Sequence, residues 1–210
     1  MLRRIGVMGG MFDPVHLAHL AVAKQVLNTL ALDVVHLVPC AVPNHRGQPG
    51  ATGEHRVHML SLAVADESRL VVDQRELQRA GVSYMVDTLN SFATEFPDAT
   101  LVYILGLDSF HSLPAWHRWR DLIDICHLCV TGRPGVTREM PDELALEVAR
   151  RQVDSVAALF KQPRGSVLYM EDLDLPISSS AIRQALARGE MPAQLPQSVQ
   201  TYIREHRLYF

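Results

Sequence analysis

Short, uninterrupted apolar runs alternate along this chain with longer stretches whose apolar positions recur at helical spacing. Ile5-Gly6-Val7-Met8 is one such run, and Leu17 to Leu30 then carries apolar residues at 20, 23, 27 and 30, one face of a helix. Val34 to Pro39 predicts a second strand, and Glu54 to Ala65, with Val57, Leu60 and Val64 on one side, a second helix. Leu70-Val71-Val72 is a third short strand, Ser83 to Phe96 a helix, and Leu101 to Leu105 a fourth strand. His127–Val130 and Val167–Met170 supply the fifth and sixth. Strands that are apolar throughout are buried on both faces, and strands separated by helices cross over to lie parallel. The expectation is therefore an α/β fold, a doubly wound parallel sheet with a small helical part at its carboxyl end. Residues 1–210 are expected to form one domain, because neither Pro163-Arg164-Gly165 nor Gly47–Gly53 is long enough for a linker. In such sheets ligands bind beyond the carboxyl ends of the strands. That directs attention to the loops at 9–15, 40–53, 106–119, 131–135 and 172–180.

Composition removes several functions. The 210 residues carry 20 basic and 23 acidic side chains, a formal charge of -3, so a strongly basic binder of nucleic acid backbone is not expected. Eighteen of the 20 cations are Arg, the cation suited to bidentate contact with phosphate or carboxylate. Any handling of anions has to be local, against the net charge. No window reaches the roughly 18 apolar residues of a membrane span, and the apolar run in MLRRIGVMGGMF is too short for a signal core. Cys40, Cys126 and Cys129 form no even disulfide framework, which fits a reducing, cytoplasmic location. Cys126 and Cys129 spell C-x-x-C within a strand-like run, where residues three apart face opposite sides and do not chelate one metal.

The densest chemistry lies in Gly9-Gly10-Met11-Phe12-Asp13-Pro14-Val15-His16-Leu17-Ala18-His19, between a strand and a helix. Two glycines let main-chain amides approach a ligand closely, and the helix start adds amide donors and a positive dipole end. His16 and His19, three apart, fall at that same end, where they can donate to phosphate oxygens. The same pair could instead hold a metal with Asp13, or be two incidental surface histidines. A second anion site is suggested by Pro176-Ile177-Ser178-Ser179-Ser180-Ala181-Ile182-Arg183, where hydroxyls, amides and a guanidinium share one helix start. A plain capped helix explains part of that pattern.

A glycine pair, Phe-Asp-Pro and His-x-x-His at a strand-to-helix turn resemble the nucleotidyltransferase superfamily with the His-x-Gly-His motif. Ala18 stands where that motif has Gly. The segment Ile177-Ser178-Ser179-Ser180-Ala181-Ile182-Arg183 matches the superfamily's Ile-Ser-x-Ser/Thr-x-x-Arg. With Pro43-Asn44-His45-Arg46, Asp73-Gln74-Arg75-Glu76-Leu77, Ser83-Tyr84, Gly106-Leu107-Asp108-Ser109, Pro114-Ala115-Trp116 and Arg133-Pro134-Gly135 in order, the chain is similar over nearly its whole length to the bacterial nicotinic acid mononucleotide adenylyltransferases. The resemblance implies a Rossmann-like nucleotidyltransferase fold. It implies adenylyl transfer from ATP to nicotinic acid mononucleotide, giving the dinucleotide and pyrophosphate in NAD biosynthesis, with Mg²⁺ carried by the ATP phosphates and no metal site of the protein's own.

It further implies His16, His19 and Arg183 as catalytic residues. ATP would be held by Gly9, Gly10, Met11, Phe12, His16, His19, Gly106, Asp108, Ile177, Ser178, Ser180 and Arg183, with residues 176–210 completing that site. The pyridine nucleotide would be held by His45, Arg46, Tyr84, Met85, Trp116, His117 and Arg133. Trp116 would stack on a cationic pyridinium, and the amides around Met85 and His117 would receive its carboxylate; a core role for Trp116 is the alternative, with Trp119 the better core candidate. Met11 and Met85 replace Thr residues common in the family, so acid against amide preference is open. A silent nucleotide sensor of the same fold, an enzyme preferring nicotinamide mononucleotide and a metal-dependent hydrolase using Asp13, His16 and His19 are the competing readings. His16, His19 and Arg183 are expected to concentrate positive potential in one cleft. The tail Val199–Phe210 has apolar residues to pack on the domain or on another subunit, which leaves room for a homo-oligomer.

Overall fold

The computed structural model describes residues 3–41, 49–79, 81–132, 140–170 and 176–210. In chain order the elements are β1 (Arg4–Gly10), α1 (Leu17–Thr29), β2 (Val34–Pro39), α2 (Gly53–Ala63), β3 (Leu70–Val72), α3 (Arg75–Gln78), α4 (Met85–Glu95), β4 (Thr100–Gly106) and α5 (Leu107–His111). After a 3₁₀ turn at Leu113–Ala115 come α6 (Trp119–Ile125), β5 (His127–Thr131), α7 (Asp142–Arg151), β6 (Gln152–Val153), α8 (Val156–Leu159), β7 (Val167–Met170), α9 (Ser179–Ala187) and α10 (Gln197–Glu205). Seven strands form one sheet in the order β3-β2-β1-β4-β5-β7-β6, every pair parallel. The doubly wound expectation holds, and its reason is visible in the core. Alternate residues of each central strand feed two separate apolar layers.

One layer holds Leu20, Val26 and Leu27 of α1, Met59 and Leu60 of α2, Ile182 and Leu186 of α9 and Val199 and Ile203 of α10. The other holds Leu89 and Phe92 of α4, Phe110 of α5, Trp119 and Leu122 of α6 and Leu144 and Val148 of α7. Cys129 lies in the first layer and Cys126 in the second, so the C-x-x-C pair is split across the sheet. Burial pushes both thiols up to about 12. At the centre of β1, a Cβ on Gly6 would come within 2.9 Å of Leu32 and Val35 side-chain carbons, so a glycine there lets the α1–β2 corner close onto the sheet.

The C-terminal helical part docks on α2. Tyr202 of α10 accepts or donates a 2.8 Å hydrogen bond with His55 Nδ1 and stacks on His58 at 4.5 Å, with His206 beside it at 4.1 Å. Beyond α10, Leu208 and Tyr209 pack against the first apolar layer. The tail therefore packs on its own chain. No described helix is long and apolar enough to cross a membrane.

Candidate active site

The winding of the sheet reverses between β1 and β4. These strands are neighbours, yet the chain leaves β1 toward β2 on one side and β4 toward β5 on the other. Their carboxyl ends, Gly9-Gly10 and Gly106, border the crevice where α/β sheets take ligands. Gly106 is exposed, and a Cβ there would meet nothing within 4 Å.

The loop after β1 is held from several sides. Phe12 has φ 46 and is only 1% exposed, a left-handed backbone that costs a bulky residue of order 1–3 kcal/mol and needs its surroundings to impose it. Its ring stands edge-on to His19 at 5.0 Å. Beneath the loop, the buried Arg56 of α2 donates from Nη1 to the Met11 carbonyl at 2.8 Å. Asp13 is 2% exposed. Its carboxylate accepts from the amides of Gly50 and Ala51 at 2.7 and 3.1 Å and from the Tyr209 hydroxyl at 2.7 Å. With its oxygens engaged there, Asp13 does not turn to the two histidines as the metal reading requires. Among the described residues no group of three or more His, Cys, Asp or Glu is placed to hold a metal ion.

His16 is the N-cap residue of α1. Its amide donates to His19 Nδ1 at 3.2 Å, and the two rings stack with centroids 3.7 Å apart. Because His19 Nδ1 accepts, the proton of the neutral His19 ring sits on Nε2. His16 is 4% exposed, and burial pushes its imidazole down to about 4. Its Nδ1 is buried without a hydrogen-bond partner. His16 is thus a neutral ring at pH 7, which corrects the expectation of a cation there: burial removes the charge while leaving the donor. A second correction concerns the amides of α1. The Leu17 amide donates to the Gln194 carbonyl at 2.9 Å, so the first of them is spent on the C-terminal segment.

At α9 the three serines divide the work. Ser178 caps the helix through the Ala181 amide at 3.2 Å, and Ser179 donates to the Pro14 carbonyl at 3.1 Å. Ser180 is exposed and accepts from Arg183 Nη2 at 3.4 Å. Arg183 Nη1 donates to the Asp13 carbonyl at 2.7 Å. The structure therefore brings the two halves predicted from distant stretches, residues 9–19 and 177–183, into direct contact.

On the other side of Gly9 lies an aromatic group. A Cβ on Gly9 would run into Met85 Cε and come within 3.8 Å of the Tyr103 hydroxyl, so the Met85 side chain lies across this glycine. Tyr84 is the N-cap of α4 and packs on His117 at 4.4 Å. Trp116, half-buried, lies 6.4 Å from the Tyr103 ring and donates from Nε1 to Ser112 at 3.3 Å. Trp119, at 5% exposure, is the core tryptophan. Asp108 is exposed in the first turn of α5, and Ile177 half-buried ahead of α9.

A family model described as cytidylyltransferase-like matches residues 7–185. A protein of Aeromonas hydrophila subsp. hydrophila named a probable nicotinate-nucleotide adenylyltransferase is 41% identical over 206 residues, covering 98% of this chain and 96% of the relative. One of the same name from Pseudomonas syringae pv. tomato is 44% identical over 209 residues, covering 99% and 94%. The chain belongs to the nicotinate-nucleotide adenylyltransferase family. Its fold is that of the Plasmodium falciparum nicotinic acid mononucleotide adenylyltransferase solved with NaAD, at TM-score 0.74 and 18% identity, covering 99% of this chain and 97% of the other.

This member of the family departs from the His-x-Gly-His motif at Ala18, which is buried in α1. Of the residues the sequence singled out, His45, Arg46 and Arg133 lie outside the described residues. Four supporting residues had not been assigned a part in the site: Arg56, Asp13 as a hydrogen-bond hub, Ser179 and Tyr209. A lone Arg within an amphipathic helix pattern gives no hint that it points inward. Asp13 and Tyr209 are 196 residues apart, and no local pattern joins them.

Proposed function

We infer that the chain transfers the adenylyl group of ATP to nicotinic acid mononucleotide, releasing pyrophosphate and forming nicotinic acid adenine dinucleotide. The observation that carries this reading is the pair of unlike half-sites flanking Gly9-Gly10 at the point where the sheet reverses. One is made of imidazoles, hydroxyls and a guanidinium, the other of Tyr84, Met85, Trp116 and His117. The family membership fits it.

The nucleophile is a phosphate monoester, whose second pKa near 6 leaves it largely ionised at pH 7. No general base is needed, and catalysis reduces to holding two anions in line while charge spreads on the transferring group. The neutral His16 and His19 rings donate to the α-phosphate region, and Arg183 with Ser178 and Ser180 takes the outer phosphates. Gly9, Gly10, Met11 and Phe12 line the nucleotide, while Gly106, Asp108 and Ile177 face its ribose and base; residues 176–210 complete this half. Mg²⁺ carried on the ATP phosphates would supply charge neutralisation there, leaving the imidazoles, hydroxyls and Arg183 to orient them. His45, Arg46 and Arg133 belong to the pyridine-nucleotide side, together with the half-site described above. An odd number of cysteines, with Cys126 and Cys129 buried on opposite faces of the sheet, suits a reducing, cytoplasmic setting.

The reading is tested by pyrophosphate release from ATP with either nicotinic acid or nicotinamide mononucleotide. Rapid release with the acid and slow release with the amide is expected; release with neither overturns the reaction, and equal rates overturn the acid preference. Trp116→Ala is expected to raise KM for the pyridine nucleotide about tenfold, the scale of one ring–cation contact. KM for ATP should stay within about twofold, and equal effects on both substrates would remove the stacking role.

A further inference from the structure

Asp13 joins three parts of the chain that are far apart in sequence. Its Oδ2 accepts from the Gly50 amide, and its Oδ1 accepts from the Ala51 amide and from the Tyr209 hydroxyl. Its main-chain carbonyl accepts from Arg183 Nη1, which also stands 3.6 Å from Oδ2. Arg183 is thus tied on one side to Asp13 and on another to Ser180. Its side chain keeps 36% of its surface exposed, whereas that of Asp13 keeps 3%.

Tyr209 is held as firmly as Asp13. Its backbone is left-handed, with φ 69, and its ring covers Gly50, where a Cβ would come within 3.1 Å of two ring carbons and 3.3 Å of Arg183 Cδ. A side chain at position 50 would push into both. Burial first, and the Asp13 carboxylate second, raise the Tyr209 hydroxyl above its ordinary range, so it keeps its proton throughout the working pH range. Nothing in the adenylyl-transfer chemistry itself calls for a hydroxyl at this place.

We propose that Tyr209 is a positioning residue for the ATP half of the site: its hydroxyl satisfies Asp13 and so keeps Arg183 turned outward to the triphosphate. The chemical reason is competition. A buried carboxylate that loses a donor takes up another; without the hydroxyl on Oδ1 the carboxylate is freer to turn toward Arg183 Nη1, which stands 3.6 Å from Oδ2 and is able to close into a full ion pair. Arg183 would then be drawn away from the phosphates, and the Gly50–Ala51 turn would lose its fixed acceptor. The proposal takes from the adenylyl-transfer reading only that the anion at Arg183 is the triphosphate of ATP.

The test is Tyr209→Phe, which keeps the ring over Gly50 and removes one oxygen. Binding of α,β-methylene-ATP with Mg²⁺ is measured by calorimetry, and KM for each substrate by steady-state assay. The expected result is a roughly tenfold weaker Kd for the analogue and a similar rise in KM for ATP, the scale of one lost hydrogen bond to a charged group. KM for the pyridine nucleotide should stay within about twofold. Unchanged analogue affinity overturns the proposal. So does an equal loss for both substrates that follows a fall in the thermal midpoint, which would leave Tyr209 a purely structural residue. Asp13→Asn, which sets an NH₂ donor against either the Gly50 or the Ala51 amide, should weaken analogue binding further. Because calorimetry needs no turnover, a wild-type chain that binds the analogue but forms no dinucleotide would sink the reaction reading and leave this test intact. A wild-type chain that does not bind the analogue overturns the proposal as well.

Discussion

His19→Ala is expected to lower turnover about 10²- to 10³-fold, the scale of removing one preorganised donor from transition-state charge. The ring is fixed before substrate arrives. Its Nδ1 takes the His16 amide, one face stacks on His16, and the Phe12 ring meets it edge-on. A donor already oriented pays no reorganisation when charge develops on the transferring phosphoryl group. It therefore contributes more to the transition state than to ground-state binding. KM for ATP should move far less than kcat, by about threefold or less. Steady-state kinetics with both substrates varied gives the answer, and turnover within a factor of a few of wild type would make His19 incidental.

Acid is expected to destabilise the fold well before the carboxylates titrate, and His127 should account for a measurable share. His127 is fully buried; its Nε2 faces the Gln162 carbonyl at 3.1 Å, and its Nδ1 accepts the Ser166 amide at 3.2 Å. A second proton on Nδ1 would break the bond to Ser166 and leave a charge in the core. Burial accordingly pushes this imidazole down to about 4. The unfolded chain takes up that proton near pH 6.5, and the folded chain does so only near 4. The stabilisation is complete above about pH 6.5 and falls away as pH drops from there toward 4. At pH 5 the loss is roughly 2 kcal/mol for this one residue, and His16, shifted the same way, adds to it. Denaturant unfolding of wild type and His127→Asn at pH 7.5 and pH 5 isolates the effect. The wild type should lose about 2 kcal/mol more than the variant between the two conditions, and parallel losses would exclude His127 as the cause.

The parallel sheet was legible because its central strands carry short, nearly continuous apolar runs, a pattern that double-sided burial explains. The ligand-binding loop after β1 followed from the glycine pair and the helix behind it, whereas the strand order that puts the reversal there did not. What stayed hidden was short or distant. β6 is a two-residue strand at the sheet edge, too brief for any period. In α7 only Leu144 and Val148 are buried, one turn apart, while Leu146 between them is exposed, so the apolar positions do not trace one clean helical face. The candidate residues His16, His19, Ser180 and Arg183 could be picked out in sequence because they cluster in the opening turns of two helices or just before them. Their charge state could not: His16 carries the same letter whether it is a surface cation or a buried neutral donor, and only its 4% exposure decides. The residues that hold them, Arg56, Asp13 and Tyr209, do so through contacts that no local spacing encodes.

Phe12 and Gly10 share one volume. A Cβ on Gly10 would lie 3.1 Å from Phe12 Cζ, and the ring, nearly sealed from solvent, has His19 at its other side. Any side chain at position 10 is therefore felt at His19 through the ring between them. A side chain at position 10 would press on the Phe12 ring, so a bulkier residue there is relieved by a smaller one at position 12 rather than by any change in the histidines.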